Sequence, residues 1–271
     1  MGREQTMADR LQMTQDGGLG GFRRRHLLAD GRAASAFWSL PHGARRSLYA
    51  LRHPRRFKNW QAMRRRPNAR GYSLKPFDDC RCLFVHIPKC AGISVMKSLF
   101  GCRTGSHLAV RDFQLIYGRR EFDSFFKFTI VRNPWDRLVS SFLFLKSGGY
   151  GPEDQSWAQQ HLAAFASFDH FVRQWVTPES IDSYIHFVPQ HRFLGGGDGP
   201  TNVDFVGRFE TLGTDFADIC NRVGIKAELQ RLNRTSASHE SYVDLYTEET
   251  ARIVAEVYSE DIRLFGYRFD A

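Results

Sequence analysis

The sequence has no apolar stretch approaching the roughly 18 to 20 residues that a bilayer crossing requires. Its arginine-studded N-terminus also lacks the apolar segment and small-residue cleavage site of a secretory leader. A cytoplasmic protein is expected, one that at most rests peripherally on the inner face of a membrane. Cysteine is scarce: the five residues at 80, 82, 90, 102 and 220 form an odd set with no C-x-x-C pair, so neither a disulfide framework nor a zinc cluster is implied. Reduced thiols in a cytosol fit this pattern. The phosphate-cradling run G-x-x-x-x-G-K-[ST] does not occur, which argues against a nucleotide kinase. No set of carboxylates suggests a magnesium site, and no metal is expected. There is no internal repeat.

What is present is an ordinary globular composition, 42% hydrophobic and 25% charged over 271 residues, enough for one substantial core with an appendage. The net charge of +9 is concentrated at one end, because residues 1–79 hold 17 Lys and Arg against 6 Asp and Glu, leaving the rest slightly acidic. Clusters such as Arg23-Arg24-Arg25, Arg45-Arg46, Arg55-Arg56 and Arg64-Arg65-Arg66 suit a polyanion, either an anionic membrane or an acidic polysaccharide, or else form a solvated arm. No nucleic-acid-reading motif accompanies them, so nucleic acid is a poor fit. The expected division is a basic extension over 1–75, poorly ordered over its first 20 residues with short helices between Pro41, Pro54 and Pro67, and a catalytic domain over 76–271.

Two apolar runs organise that domain. Cys82-Leu83-Phe84-Val85-His86-Ile87 reads as a strand that passes through Pro88 and a glycine-containing turn into a helix marked by Ile93, Met96, Leu99 and Phe100. Phe125–Val131 reads as a second strand, followed by Asn133 as N-cap, Pro134 as the first helical residue, and a helix carrying Trp135, Leu138, Val139, Phe142 and Leu143. Strands that each feed a helix predict an α/β fold with a central parallel sheet flanked by helices, its ligands at the carboxyl ends of the strands. A further strand is expected over 203–209, with helices over 214–224 and 247–261. Phe165, Phe168, Phe171 and Trp175 fall at helical spacing and read as core rather than as a sugar platform.

The loop Lys89-Cys90-Ala91-Gly92-Ile93-Ser94 joins a strand to a helix through small residues, the arrangement in which backbone N–H groups and the positive end of a helix converge on one anion. Lys89 adds a cation and Ser94 a hydroxyl. In the second loop Arg132 can fork two donors onto a phosphate, and Ser140, two turns into the next helix, can add a third. One anion for each loop suggests two anionic groups on one ligand.

The segments Phe84–Ser94 and Phe128–Ser141 together resemble the 5′-phosphosulfate and 3′-phosphate motifs of the carbohydrate sulfotransferases grouped as sulfotransferase family 2. The resemblance continues more weakly through His186–Gln190, Phe205–Glu210 and Tyr258–Tyr267, covering about residues 82–268. It implies a P-loop-like three-layer sandwich and the co-substrate 3′-phosphoadenosine 5′-phosphosulfate (PAPS). It also implies an acceptor hydroxyl on a carbohydrate, such as a bacterial glycolipid, capsule or exopolysaccharide precursor. Lys89, Gly92 and Ser94 then hold the 5′-phosphosulfate, together with the backbone at Cys90, Ala91 and Ile93, while Arg132 and Ser140 hold the 3′-phosphate. Cys90 and Ile93 stand where the family often has threonine, which leaves an amide cradle formed.

The acceptor hydroxyl must lose a proton as it attacks sulfur. By the resemblance His107, in Gly105-Ser106-His107-Leu108, is the expected base, with His186 and His191 in reserve and His86 structural. Lys89 would stabilise charge on the leaving oxygen. Asn233-Arg234-Thr235-Ser236 reads as a surface loop or as a cover for the nucleotide. Two other readings stay open: sulfation of a small alcohol, phenol or peptide tyrosine, and a polyanion- or nucleic-acid-binding protein working through its basic arm.

Overall fold

Prolines and left-handed residues cut the chain into short elements. A computed structural model describes residues 32–195, 202–230 and 241–270, with side chains from residue 35 onward. The first 20 residues, the Arg23–Arg25 cluster and the Asn233–Ser236 loop lie outside the described residues. The chain opens with helices α1 (Arg32–Ser39), α2 (His42–Arg52) and α3 (Pro54–Met63), then β1 (Tyr72–Ser73), α4 (Lys75–Cys80), β2 (Cys82–Val85) and α5 (Gly92–Phe100). Next come β3 (Arg103–Thr104), α6 (Val110–Ile116), α7 (Arg119–Ser124), β4 (Phe126–Val131), α8 (Pro134–Lys146), α9 (Pro152–His161) and α10 (Phe168–Trp175). After a 3-10 turn at Gln190–Leu194, β5 (Phe205–Arg208), α11 (Leu212–Val223), α12 (Glu248–Val257) and α13 (Ser259–Phe265) complete the fold.

The central sheet is parallel, in the order β2–β4–β5, with Phe84 opposite Phe128 and Phe128 opposite Phe205. All four residues of β2 are buried, as befits a strand covered on both faces in a helix-flanked parallel sheet. The architecture is the α/β class expected, with a second two-stranded parallel ladder formed by β1 and β3. Lys127 interrupts the apolar run of β4 yet lies inside, because its Nζ donates to the Phe125 carbonyl at 2.8 Å and approaches Asp204 at 3.1 Å. β2 ends two residues earlier than the apolar run suggests, since Pro88 has no N–H to continue a ladder.

The basic N-terminal helices share the domain's hydrophobic core. Tyr49, Trp60 and Met63 are buried in it, with the Tyr49 and Trp60 rings stacked 5.4 Å apart. Arg64 lies over the Tyr117 ring and forks onto Asp78 at 2.6 and 2.9 Å while reaching Glu121 at 2.7 Å. At the far end, the single helix expected over 247–261 is two helices. Tyr258 leaves helical geometry (φ −107°, ψ 23°) and is buried, its hydroxyl donating to the Phe187 carbonyl at 2.7 Å. This break turns α13 so that Asp261, fully buried, accepts from the backbone N–H groups of Gln190 and His191 at 2.7 and 2.8 Å and lies 2.7 Å from the His191 ring.

Asp261→Ala would leave the buried Gln190 N–H and the half-buried His191 N–H without their acceptor, and it should lower the unfolding free energy by about 3 kcal/mol in urea titration at pH 7. A loss under about 1 kcal/mol would show that this carboxylate does not anchor the 190 segment.

Candidate active site

Because β2 and β4 run in parallel, the turns that leave them open on the same edge of the sheet. The first turn passes through left-handed Lys89 (φ 68°) and Ala91 (φ 57°) before α5 begins at Gly92. For residues other than glycine this conformation costs on the order of 1 kcal/mol each. Left-handed residues alternating with ordinary ones turn successive backbone N–H groups toward one side, which makes an anion-binding concavity. Gly92 has no substitute: a Cβ there would lie 1.8 Å from Cδ2 and 1.9 Å from Nε2 of His86. The Lys89 ammonium sits 3.8 Å from the Phe144 ring centroid, and burial, then the charge of Arg132, pushes its pKa down to about 8.

The second turn is held by its cap. The Asn133 side chain accepts from the Trp135 N–H at 3.1 Å and donates to the Arg268 carbonyl at 2.8 Å, while its own N–H donates to Glu210 at 2.7 Å. Arg132 is already engaged: Nε and Nη2 fork onto Asp136, both at 2.7 Å, Nη1 donates to the Lys89 carbonyl at 3.1 Å, and the guanidinium lies over the Phe209 ring. Of its five donors, three are taken and two remain to meet an anion. Ser140 lies on α8 and is nearly buried.

Gln190 fastens the two turns to each other. Its Oε1 accepts from the Arg132 N–H at 2.9 Å and from the Cys90 thiol at 3.3 Å, and its Nε2 donates to the Arg132 carbonyl at 2.8 Å. The Cys90 thiol therefore points inward, and burial raises its pKa to about 12, so it stays protonated. Arg137, also buried, donates to the carbonyls of Pro88, His186 and Val188 at 3.0, 3.2 and 2.9 Å, clamping the first turn and the 186–188 segment onto α8.

A cluster of histidines stands beside the first turn. His107 Nδ1 lies 3.0 Å from the His86 carbonyl oxygen, and its ring centroid is 4.3 Å from that of His86 and 6.1 Å from that of His186. A carbonyl can only accept, so the neutral His107 ring carries its proton on Nδ1 and presents Nε2 as a lone pair. Burial, then the proximity of His186, lowers its pKa to about 4, keeping it neutral at physiological pH. His186 Nε2 faces Asp154 at 3.6 Å; Asp154 also accepts from the Tyr184 hydroxyl and, at 2.8 Å, from the Tyr150 N–H. Burial opposes ionisation of Asp154, but the hydrogen bonds from His186 and Tyr184 hold its pKa below the usual carboxylate value. His86 is fully enclosed and its pKa is driven well down.

The structure thus brings Lys89, Cys90, Gly92, Arg132 and His107 to one edge, with the expected reserve His186 beside His107. His191 instead pairs with Asp261 and serves the scaffold. Phe168 and Phe171 are core, as their spacing suggests. Gln190, Arg137 and Asp154 carry no role in the sequence reading. Gln190 and Arg137 act on backbone groups 49 or more residues away, and no local pattern signals that. Among the described residues, no group of three or more His, Cys, Asp or Glu is arranged to hold a metal ion.

The profile of a family described as "Sulfotransferase family" matches residues 74–268. A curated relative from Archaeoglobus fulgidus, named only "Uncharacterized protein", is 27% identical over 122 residues, spanning 44% of this chain and 85% of that protein. No solved structure matches the chain.

An anion held by Lys89 needs the ammonium form. Nucleotide affinity should therefore hold below pH 8 and fall as pH rises through about 8, and this inflection should vanish in Lys89→Arg, as read by fluorescence titration across pH 6.5–9.5. For the free protein the opposite trend is expected: the unfolded lysine binds more proton between about pH 8 and about 10.4, so the Lys89 contribution to stability should rise with pH in that window.

Proposed function

The chain belongs to the sulfotransferase family, and we propose that it moves the sulfuryl group of PAPS onto a hydroxyl of a carbohydrate or glycolipid acceptor, of the kind used in bacterial surface polysaccharides. Family membership makes it a PAPS-dependent sulfotransferase. The acceptor and the role of each residue are our reading. One observation carries it: Lys89 and Arg132 leave adjacent parallel strands at one sheet edge, with Arg132 Nη1 only 3.1 Å from the Lys89 carbonyl. A single ligand with an anion at each end suits that pair of turns.

In this reading the cradle from Lys89 to Ser94 takes the 5′-phosphosulfate on its N–H groups and on the Lys89 ammonium. Arg132, its plane fixed by Asp136, offers its two remaining donors to the 3′-phosphate, with the Ser140 hydroxyl alongside. His107 Nε2 accepts the proton of the acceptor hydroxyl as that oxygen bonds to sulfur. The bond from sulfur to the nucleotide's phosphate oxygen breaks, and Lys89 stabilises the charge that collects on the departing oxygen. Asp154 supplies the negative charge that compensates a His107 imidazolium, and a bound phosphosulfate raises the His107 pKa from about 4 toward neutrality. The carbohydrate reading rests on the likeness of both loops to the carbohydrate enzymes of the family. The division into an extension over 1–75 and a catalytic domain from 76 stays part of this proposal, with the helices of the extension seated on the domain's core through Tyr49, Trp60 and Met63.

Transfer of label from radioactive PAPS into a lysate of the native cell should mark a glycan or glycolipid; a labelled phenol or peptide would replace that acceptor. 3′-Phosphoadenosine 5′-phosphate should raise the melting temperature, and Arg132→Ala should abolish most of the shift. No shift at millimolar nucleotide would remove the basis of the proposal. His107→Ala should retain nucleotide binding while losing turnover by about 10²-fold or more; persisting turnover would move the base to another residue.

A further inference from the structure

From Arg32 to Leu74 the chain carries eleven Lys and Arg and not one Asp or Glu. Five of these cations have work inside the fold. Arg64 and Arg70 pair with Asp78, Glu121 and Glu153, and Arg56 faces Asp112. Arg45 and Arg46 donate to the carbonyls of Trp38 and Ile116. Arg52, Arg55, Lys58, Arg65 and Arg66 are different: they are exposed, and none has a partner among the described residues. Arg52, Arg55 and Lys58 lie around the corner of the α2–α3 hairpin, and Arg65 and Arg66 lie in the turn that follows α3.

The same corner carries Leu51, which at 78% exposure is the most open large apolar side chain among the described residues. The outward face of α2 continues from it through the exposed Ser47 and Ala44, and Leu40, also exposed, precedes the helix. The opposite face of the hairpin is anchored in the core through Tyr49, Trp60 and Met63. α2 and α3 both pack on α6, which begins three residues beyond His107. The hairpin is therefore a firmly seated element that presents a leucine at its corner beside the unpaired Arg52, Arg55 and Lys58, with no carboxylate of its own to offset them.

We propose that this corner docks on an anionic lipid surface, with Leu51 entering the headgroup layer and Arg52, Arg55 and Lys58 facing the lipid charges. The cations alone would serve any polyanion. The leucine selects between the candidates, because an acidic polysaccharide or a nucleic acid gains nothing from an apolar side chain aimed outward, whereas an interface with acyl chains beneath its charges accepts both groups. Seated in this way, α6 and the His107 cluster lie close to the membrane plane, where a lipid-borne acceptor would be met. The docking itself stands on the hairpin's charge and exposure and does not require any particular acceptor.

The test is flotation of the full chain with vesicles of phosphatidylcholine alone and of phosphatidylcholine with 30% phosphatidylglycerol, composition figures of about that order being enough to set an anionic surface. Heparin-column retention is measured beside it. The protein should float with the anionic vesicles and not with the neutral ones, and salt should weaken the association. Arg52→Glu with Arg55→Glu should cut vesicle binding by about tenfold or more. Leu51→Asn should reduce vesicle binding severalfold while leaving heparin retention and nucleotide-induced thermal stabilisation unchanged. Absence of flotation would overturn the proposal. So would vesicle binding indifferent to Leu51→Asn, or oligonucleotide binding that survives the two glutamate substitutions and exceeds vesicle binding. The unchanged response to nucleotide keeps a failure here distinct from a failure of the sulfotransferase reading.

Discussion

Two parallel strands deliver their carboxyl ends to one edge of a sheet, and a single glutamine ties the turns that leave them into one unit. Gln190 meets the backbone of Arg132 from both sides of its amide and takes the Cys90 thiol with the same oxygen. Arg132 then reaches across to the Lys89 carbonyl. Two turns held independently could each drift by about an ångström. Coupled in this way they keep one spacing, which a ligand with charges at both ends requires if ordering it is not to use up the binding energy.

Behind that edge several buried polar side chains are bonded to distant backbone groups. Arg137 spends its donors on three carbonyls, Asp261 accepts the N–H groups that start the 190 turn, and Glu210 receives the N–H of Asn133 together with the Tyr267 hydroxyl at 3.0 Å. Buried groups of this kind are costly when half satisfied and rigid when complete. The segments 186–190, 205–210 and 258–267, which resemble the family only weakly, are the ones that supply these buttresses.

Much of this was readable from residue order. The apolar runs ending at Pro88 and at Asn133-Pro134 marked both strands and both helix starts, because proline and an asparagine cap act locally. The glycine at 92 read as part of a tight small-residue turn, and the structure adds a close approach to His86 that leaves no room for a Cβ. Less was readable where partners are remote. Arg132 reads as a free fork for phosphate, yet Asp136 one turn later takes its Nε and one Nη2 donor. Asp154 has no local signal: it stands in the first turn of α9 and meets His186, 32 residues later, at 3.6 Å. The break at Tyr258 escaped notice because its cause is a hydrogen bond to Phe187, 71 residues earlier. The N-terminal cations looked uniform in the sequence, whereas the fold sorts them into those that brace the core and those that remain free.

The central claim is that two anions of one nucleotide are held at once, one by each turn. Isothermal titration of the protein with 3′-phosphoadenosine 5′-phosphate, 5′-AMP and 3′-AMP at pH 7 measures it directly. The account predicts that each monophosphate binds at least about tenfold more weakly than the bisphosphate, a difference of about 1.4 kcal/mol or more. Equal affinity for 5′-AMP and the bisphosphate would contradict it.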